Sequence, residues 1–160
     1  MATRTVPKNA KQPVVEMLAH TLALSGDLYS QVKQAHWTVV GPGFIAVHRL
    51  FDEQAAMLSL HVDQYAERIR QLEMIPRGTV RETAKASDLP EIEARELMWD
   101  EAVGFILERF EQYADALHEA IEDAEKLEDR ATQDIFIEAL RGVDLQSYFL
   151  RSYLAADARR

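Results

Sequence analysis

Two pairs of metal-ligating residues share one spacing in the middle of the chain. His48 and Asp52 are four residues apart, and so are Asp63 and Glu67. Four residues on a helix is about one turn, so the members of each pair project from one face. Taking about 100° per residue with His48 at zero, Asp52 falls near ~40°, Asp63 near ~60° and Glu67 near ~100°. Imidazole and carboxylate together on one narrow arc suit iron, zinc or manganese, and the spacing leaves all three open. The sequence holds no cysteine. Thiolate metal sites, disulfides and cysteine nucleophiles are therefore excluded.

The two pairs cannot serve one metal within a chain. Asp52 and Asp63 are 11 residues apart, roughly 16 Å along a helix axis, against metal–ligand bonds of about 2 Å. A second copy resolves this. If two such helices cross antiparallel about a two-fold axis near Met57, the His48/Asp52 pair of one faces the Asp63/Glu67 pair of the other. The contact is isologous and makes two identical sites, roughly 22 Å apart. Ala55, Ala56, Ser59 and Ala66 on or beside the arc permit close approach. His36 lies 12 residues before His48, with Gly41-Pro42-Gly43 midway between them. An antiparallel hairpin brings the two histidines alongside. The candidate site is thus His36, His48 and Asp52 of one chain with Asp63 and Glu67 of another.

These residues need long helices, and the pattern supplies four with no convincing strand. The first is predicted over about 13–39, with Val14, Met17, Leu18, Leu22, Leu28 and Val32 at helical spacing. Pro13 suits a first helical position, and the Gly41-Pro42-Gly43 turn ends the segment. The second runs from about Phe44 to Glu73. Its core face, Val47, Phe51, Leu58, Val62, Tyr65 and Ile69, centres about 120° from the ligand arc. A connection of some 15 residues follows; Thr79-Val80-Arg81-Glu82 fits a capping box and predicts a short helix within it. The third helix opens at Asp88 and Pro90 and continues to about Leu127, burying Val103, Ile106, Phe110, Tyr113, Leu117, Ile121 and Ala124. Thr132 caps the fourth, which reaches about Leu154 with Ile135, Leu140, Val143, Tyr148 and Leu150 as core. The reading is all-α: a ferritin-like four-helix bundle over 13–157, with a short extra helix in the long middle connection. A basic N-terminal tail (1–12) and a short C-terminal one (158–160) flank it.

The chain has 160 residues and a formal net charge of -9, the size of one domain. An acidic surface repels DNA phosphates and attracts cations. The tail differs: Arg4, Lys8 and Lys11 are its only charged side chains, and they are either an ordinary solvated tail, which so few charges favour, or candidates for DNA contact. No apolar run approaches the ~20 residues of a membrane span. Residues 1–12 contain no apolar stretch of the secretory kind, so a cytoplasmic setting is expected.

Lys33-Gln34-Ala35-His36-Trp37, then Phe44, His48, Phe51-Asp52 and Asp63-Gln64-Tyr65-Ala66-Glu67-Arg68-Ile69, resemble the Dps family (DNA-binding protein from starved cells), the mini-ferritins. Nearly all the specificity lies in the first two helices. The resemblance implies a dodecameric shell with ferroxidase sites between subunits. There Fe(II) is oxidised by hydrogen peroxide or oxygen, and ferric iron is stored inside, protecting DNA. It implies iron ligation by His36, His48 and Asp52 with the other chain's Asp63 and Glu67. It makes Trp37 either an electron donor near the metal or a packed aromatic. It makes Asp129, Asp134 and Glu138 either an acidic iron-entry pore or an ordinary acidic helix start. The ferritin Glu-x-x-His pattern is absent, which favours a mini-ferritin. The alternative is a DNA-binding protein whose iron chemistry is secondary.

Overall fold

The structure, a computed structural model, describes residues 8–157. Helices α1 (Lys8–Thr38), α2 (Phe44–Gln71), α3 (Val80–Ala86), α4 (Trp99–Lys126) and α5 (Arg130–Asp157) follow in order, with two-residue strands β1 (Val39–Val40) and β2 (Leu97–Met98). The four long helices form the expected bundle, and α3 is the short extra helix of the crossover. The core draws on all four: Leu18, Leu28 and Val32 of α1, Phe51, Leu58 and Tyr65 of α2, Phe110, Tyr113 and Leu117 of α4, and Phe136 and Val143 of α5 are fully buried. No helix among the described residues is long and apolar enough to cross a membrane.

Several boundaries differ from the predicted ones, each for a local reason. Helix α1 starts at Lys8, so Pro13 lies inside it. Pro13 lies just beyond the four N–H groups that a helix leaves without a partner, so the helix runs through it with one i→i−4 hydrogen bond missing near its start. Residues 88–96, expected to open the third helix, are irregular, and α4 begins at Trp99. The missing turns are replaced by a parallel bridge that pairs Val39 with Leu97 and Val40 with Met98. This bridge ties the end of α1 to the start of α4 and closes the bundle at that end. Gly41, φ 105°, makes the following turn; a Cβ there would meet Met98 Cε at 2.8 Å, so only glycine fits both the dihedral and the space. Tyr148, expected in the core, is 58% exposed; its neighbours Ser147 and Leu150 take the buried positions.

Helices α2 and α4 end alike. Glu73 (φ 63°) and Glu128 (φ 58°) adopt the left-handed conformation. Met74 N–H then donates to Ile69 O and Asp129 N–H to Ala124 O, at 3.0–3.1 Å, the backbone closure of a Schellman end. Glu73 also accepts from Lys11 Nζ at 2.9 Å, which joins the start of α1 to the end of α2. Thr79 caps α3 as predicted, its hydroxyl accepting from Glu82 N–H at 3.4 Å. At α5 the capping residue is Asp129 rather than Thr132: Asp129 Oδ1 accepts from Thr132 N–H at 3.2 Å.

Candidate metal centre

The hairpin of α1 and α2 sets His36 against His48, with ring centroids 3.6 Å apart and planes 19° from parallel. Their hydrogen bonds are reciprocal. His36 Nδ1 lies 2.8 Å from His48 O, and His48 Nδ1 lies 2.9 Å from His36 O. A carbonyl only accepts, so both Nδ1 atoms carry the proton and both Nε2 atoms keep a lone pair for a metal. The arrangement also has a helical cause. His36 O is in the last turn of α1, where carbonyls lack an intrahelical donor, and the imidazole of His48 supplies one. Orientation of a ligating histidine by a hydrogen bond on its other nitrogen is a hallmark of metal sites.

Asp52 completes the group. One ligand atom from each of His36, His48 and Asp52 lies within 4.8 Å of the others. His36 is buried, His48 half-buried and Asp52 exposed, so the triad opens toward the surface. Asp52 Oδ1 accepts from Lys33 Nζ at 2.7 Å. That hydrogen bond, with the nearby positive charges, holds the Asp52 carboxyl below its ordinary range, so it stays an anionic ligand. Lys33 is also a competitor: an incoming cation must displace an ammonium already in place. Lys33→Met is expected to tighten Zn(II) binding to the assembled protein. The ion pair is exposed and screened by solvent, so the expected gain is modest, roughly 1.4–5-fold. Calorimetric titration measures it, and weaker binding in the variant would mean that Lys33 holds the site in shape.

Asp63 and Glu67 are exposed on α2 and lie outside the triad. The exposed surface around them is partly apolar. Leu60 is 65% exposed and Ile45 57%, at ~120° and ~60° on the same angular scale, among the acidic ligand positions. Trp37, next to His36, is 68% exposed and has Lys33 Nζ 5.9 Å from its ring centroid; it is not a packed aromatic within the chain.

The pore candidates divide. Asp129 is 4% exposed. Both its carboxylate oxygens accept from Arg68 Nη2, at 3.0 and 3.2 Å, and Oδ2 accepts from Thr132 Oγ1 at 2.5 Å. A carboxylate enclosed and engaged in this way does not line a channel, so the expectation for Asp129 is corrected. Asp134 and Glu138 are exposed on the early turns of α5. Of the basic residues expected to meet DNA, Lys11 is bound to Glu73, and Arg4 lies outside the described residues. Lys8 begins α1. Sequence reasoning missed both pairings, because neither partner is near in sequence: Arg68 and Asp129 are 61 residues apart, Lys11 and Glu73 62.

Comparison with known proteins agrees with this architecture. The ferritin-like domain family matches residues 15–159. A DNA protection during starvation protein of Agrobacterium fabrum is 34% identical over 149 residues, 93% of this chain and 92% of the relative. The chain belongs to the Dps family. The Dps structure from Staphylococcus aureus superposes with a TM-score of 0.85 at 31% identity, covering 89% of this chain and 95% of that one. Dps from Microbacterium arborescens, solved in a high iron form, gives a TM-score of 0.88 at 29% identity, covering 96% and 99%. The Dps fold therefore extends over the whole described bundle, crossover included.

Proposed function

We propose that this Dps chain is a ferroxidase mini-ferritin: it oxidises Fe(II) with hydrogen peroxide or oxygen at sites shared between two-fold-related copies, and stores the ferric product inside a dodecameric shell. The observation that carries the reading is the histidine pair. Each imidazole gives its Nδ1 proton to the other's backbone carbonyl and leaves Nε2 for a metal, with Asp52 in the same cluster, its Oδ1 3.5 Å from His36 Nδ1. Two histidines and one carboxylate can hold Fe(II) with positions left open, and further carboxylates would stabilise the ferric product. Asp63 and Glu67 on the same exposed, partly apolar face are the natural supplement from a second copy.

In this reading iron is the substrate. Carboxylates from both chains stabilise the ferric charge, and positions not filled by protein admit the oxidant. Trp37 is a candidate electron donor at the rim of the site. Asp134 and Glu138 are candidates for an acidic entry that concentrates Fe(II) by field focusing. Consuming Fe(II) and peroxide together protects DNA by chemistry. The alternative is a DNA-binding protein that protects by coating, its iron chemistry secondary; with Lys11 held by Glu73, it would draw on Arg4 and Lys8 more than on Lys11. The decisive experiment is stopped-flow Fe(II) oxidation by Asp63→Ala combined with Glu67→Ala. Rapid oxidation is expected to vanish, a loss beyond the roughly 10–100-fold that follows removal of a mere outer-shell partner of a metal ligand, while the shell survives. Undiminished oxidation in intact shells would refute the site.

A further inference from the structure

The bundle interior holds polar groups that the metal reading leaves unused. Tyr65 of α2 and Tyr113 of α4 are fully buried, and their hydroxyl oxygens are 2.7 Å apart. His61, one turn before Tyr65 and 6% exposed, places Nδ1 3.2 Å from Tyr113 Oη. A metal site is excluded here on charge. Among the described residues the only buried carboxylate is Asp129, held by Arg68, so a divalent cation beside these neutral donors would lack an anionic ligand. What two hydrogen-bonded phenols and an imidazole do support is loss of one electron with a short internal move of one proton.

Their position makes this relevant. Tyr65 lies between Asp63 and Glu67 in sequence, two residues from each. Two residues on a helix is about 200°, so the phenol and the carboxylates leave opposite faces of the same turn. Only the width of one helix, about 10 Å, separates the buried pair from the iron those carboxylates would hold. We propose that Tyr65 and Tyr113, hydrogen-bonded to each other and to His61, form a buried one-electron donor to the iron centre across α2. The proposal rests on the ferroxidase reading above.

The donor matters when one iron meets peroxide before a second iron arrives. Fe(II) and hydrogen peroxide then give Fe(III), hydroxide and a hydroxyl radical. One electron from Tyr113 reduces that radical to hydroxide, and the phenolic proton crosses to His61 Nδ1. Tyr65 donates its hydroxyl hydrogen to the resulting phenoxyl oxygen and stabilises it. A second Fe(II) later returns the electron, and His61 returns the proton. With each hydroxide taking one proton from solvent, the sum is two Fe(II), one peroxide and two protons giving two Fe(III) and two waters. No radical leaves the protein.

Freeze-quenched electron paramagnetic resonance tests this on the assembled full chain, loaded anaerobically with less Fe(II) than there are sites and mixed with excess hydrogen peroxide. The expected result is an organic radical that narrows when the protein is grown on β-deuterated tyrosine and is lost in Tyr113→Phe. Tyr65→Phe should keep the radical but alter its g-anisotropy, because the hydrogen bond to the radical oxygen is gone; His61→Gln should lower its yield. A radical indifferent to tyrosine labelling, or one that survives in Tyr113→Phe, overturns the proposal. The labelled wild-type protein decides the matter even if Tyr113→Phe does not fold. Fe(II) oxidation with no tyrosine radical removes only this inference; no Fe(II) oxidation at all removes the ferroxidase reading and this with it.

Discussion

Shells assembled from two different inactive chains are expected to oxidise Fe(II). One parent carries His48→Ala with Asp52→Ala; the other carries Asp63→Ala with Glu67→Ala. Each alone has every site broken, because each site needs both sets of ligands. A mixed two-fold pair has one intact site, formed by the triad of one chain and the acidic pair of the other, and one site broken on both sides. Random pairing at equal amounts makes half the pairs mixed, so about one quarter of all sites are intact. The effect is close to all-or-none, from the parents' background to roughly a quarter of wild-type rate. His48 and Asp52 are preferred to His36 because they are half-buried and exposed; deleting the buried His36 ring would add a packing defect. The measurement is initial ferric absorbance after the two chains are unfolded, mixed and reassembled. Mixed shells no faster than either parent would mean that Asp63 and Glu67 do not complete a site on another chain.

The proposed sharing is legible in the amino-acid sequence because it follows from helix geometry alone. Two pairs on one arc, 11 residues apart between Asp52 and Asp63, have no solution within a straight helix. The hairpin placement of His36 is legible for the same reason, a turn midway between two histidines. What the sequence conceals is how those histidines are held. The reciprocal Nδ1 contacts run to backbone carbonyls, and every residue has a carbonyl, so no residue type signals them. Core positions are readable where periodicity is strong, as at Phe51, Phe110 and Leu117. Tyr148 misleads because it is apolar enough to fit a core pattern, yet the bundle turns it outward. The start of α4 misleads because Asp88 and Pro90 are good helix openers whose context, the β1–β2 bridge, depends on residues some 58 positions apart. Asp129 misleads in the opposite way: an acid at a helix start reads as solvated, and its partner lies on another helix.

Asp129→Ala is expected to be the most destabilising single polar substitution in the chain. It removes the anion that Arg68 holds, and the Arg68 side chain is 13% exposed while that of Asp129 is 3% exposed. Breaking a buried pair from one side strands the remaining charge and costs about 3–5 kcal/mol. The Arg68 head keeps Thr132 Oγ1 at 2.9 Å and Gln71 Oε1 at 3.1 Å, so the lower end of that range applies. Loss of the cap on Thr132 N–H adds about 1 kcal/mol. Asp129→Asn separates the two terms, since an amide oxygen can still cap α5 but carries no charge; it should fall between alanine and wild type. Denaturant unfolding of both variants measures this, and a loss under about 1 kcal/mol for alanine would show that Arg68 finds water or another acceptor at no cost. The consequence reaches function. Arg68 follows Glu67 directly, and Asp129 leads into the turns of α5 that carry Asp134 and Glu138. The buried pair therefore clamps the proposed ligand end of α2 to the start of the helix with the proposed entry acids. Loosening it should slow iron oxidation in shells that still assemble, even though neither residue touches iron.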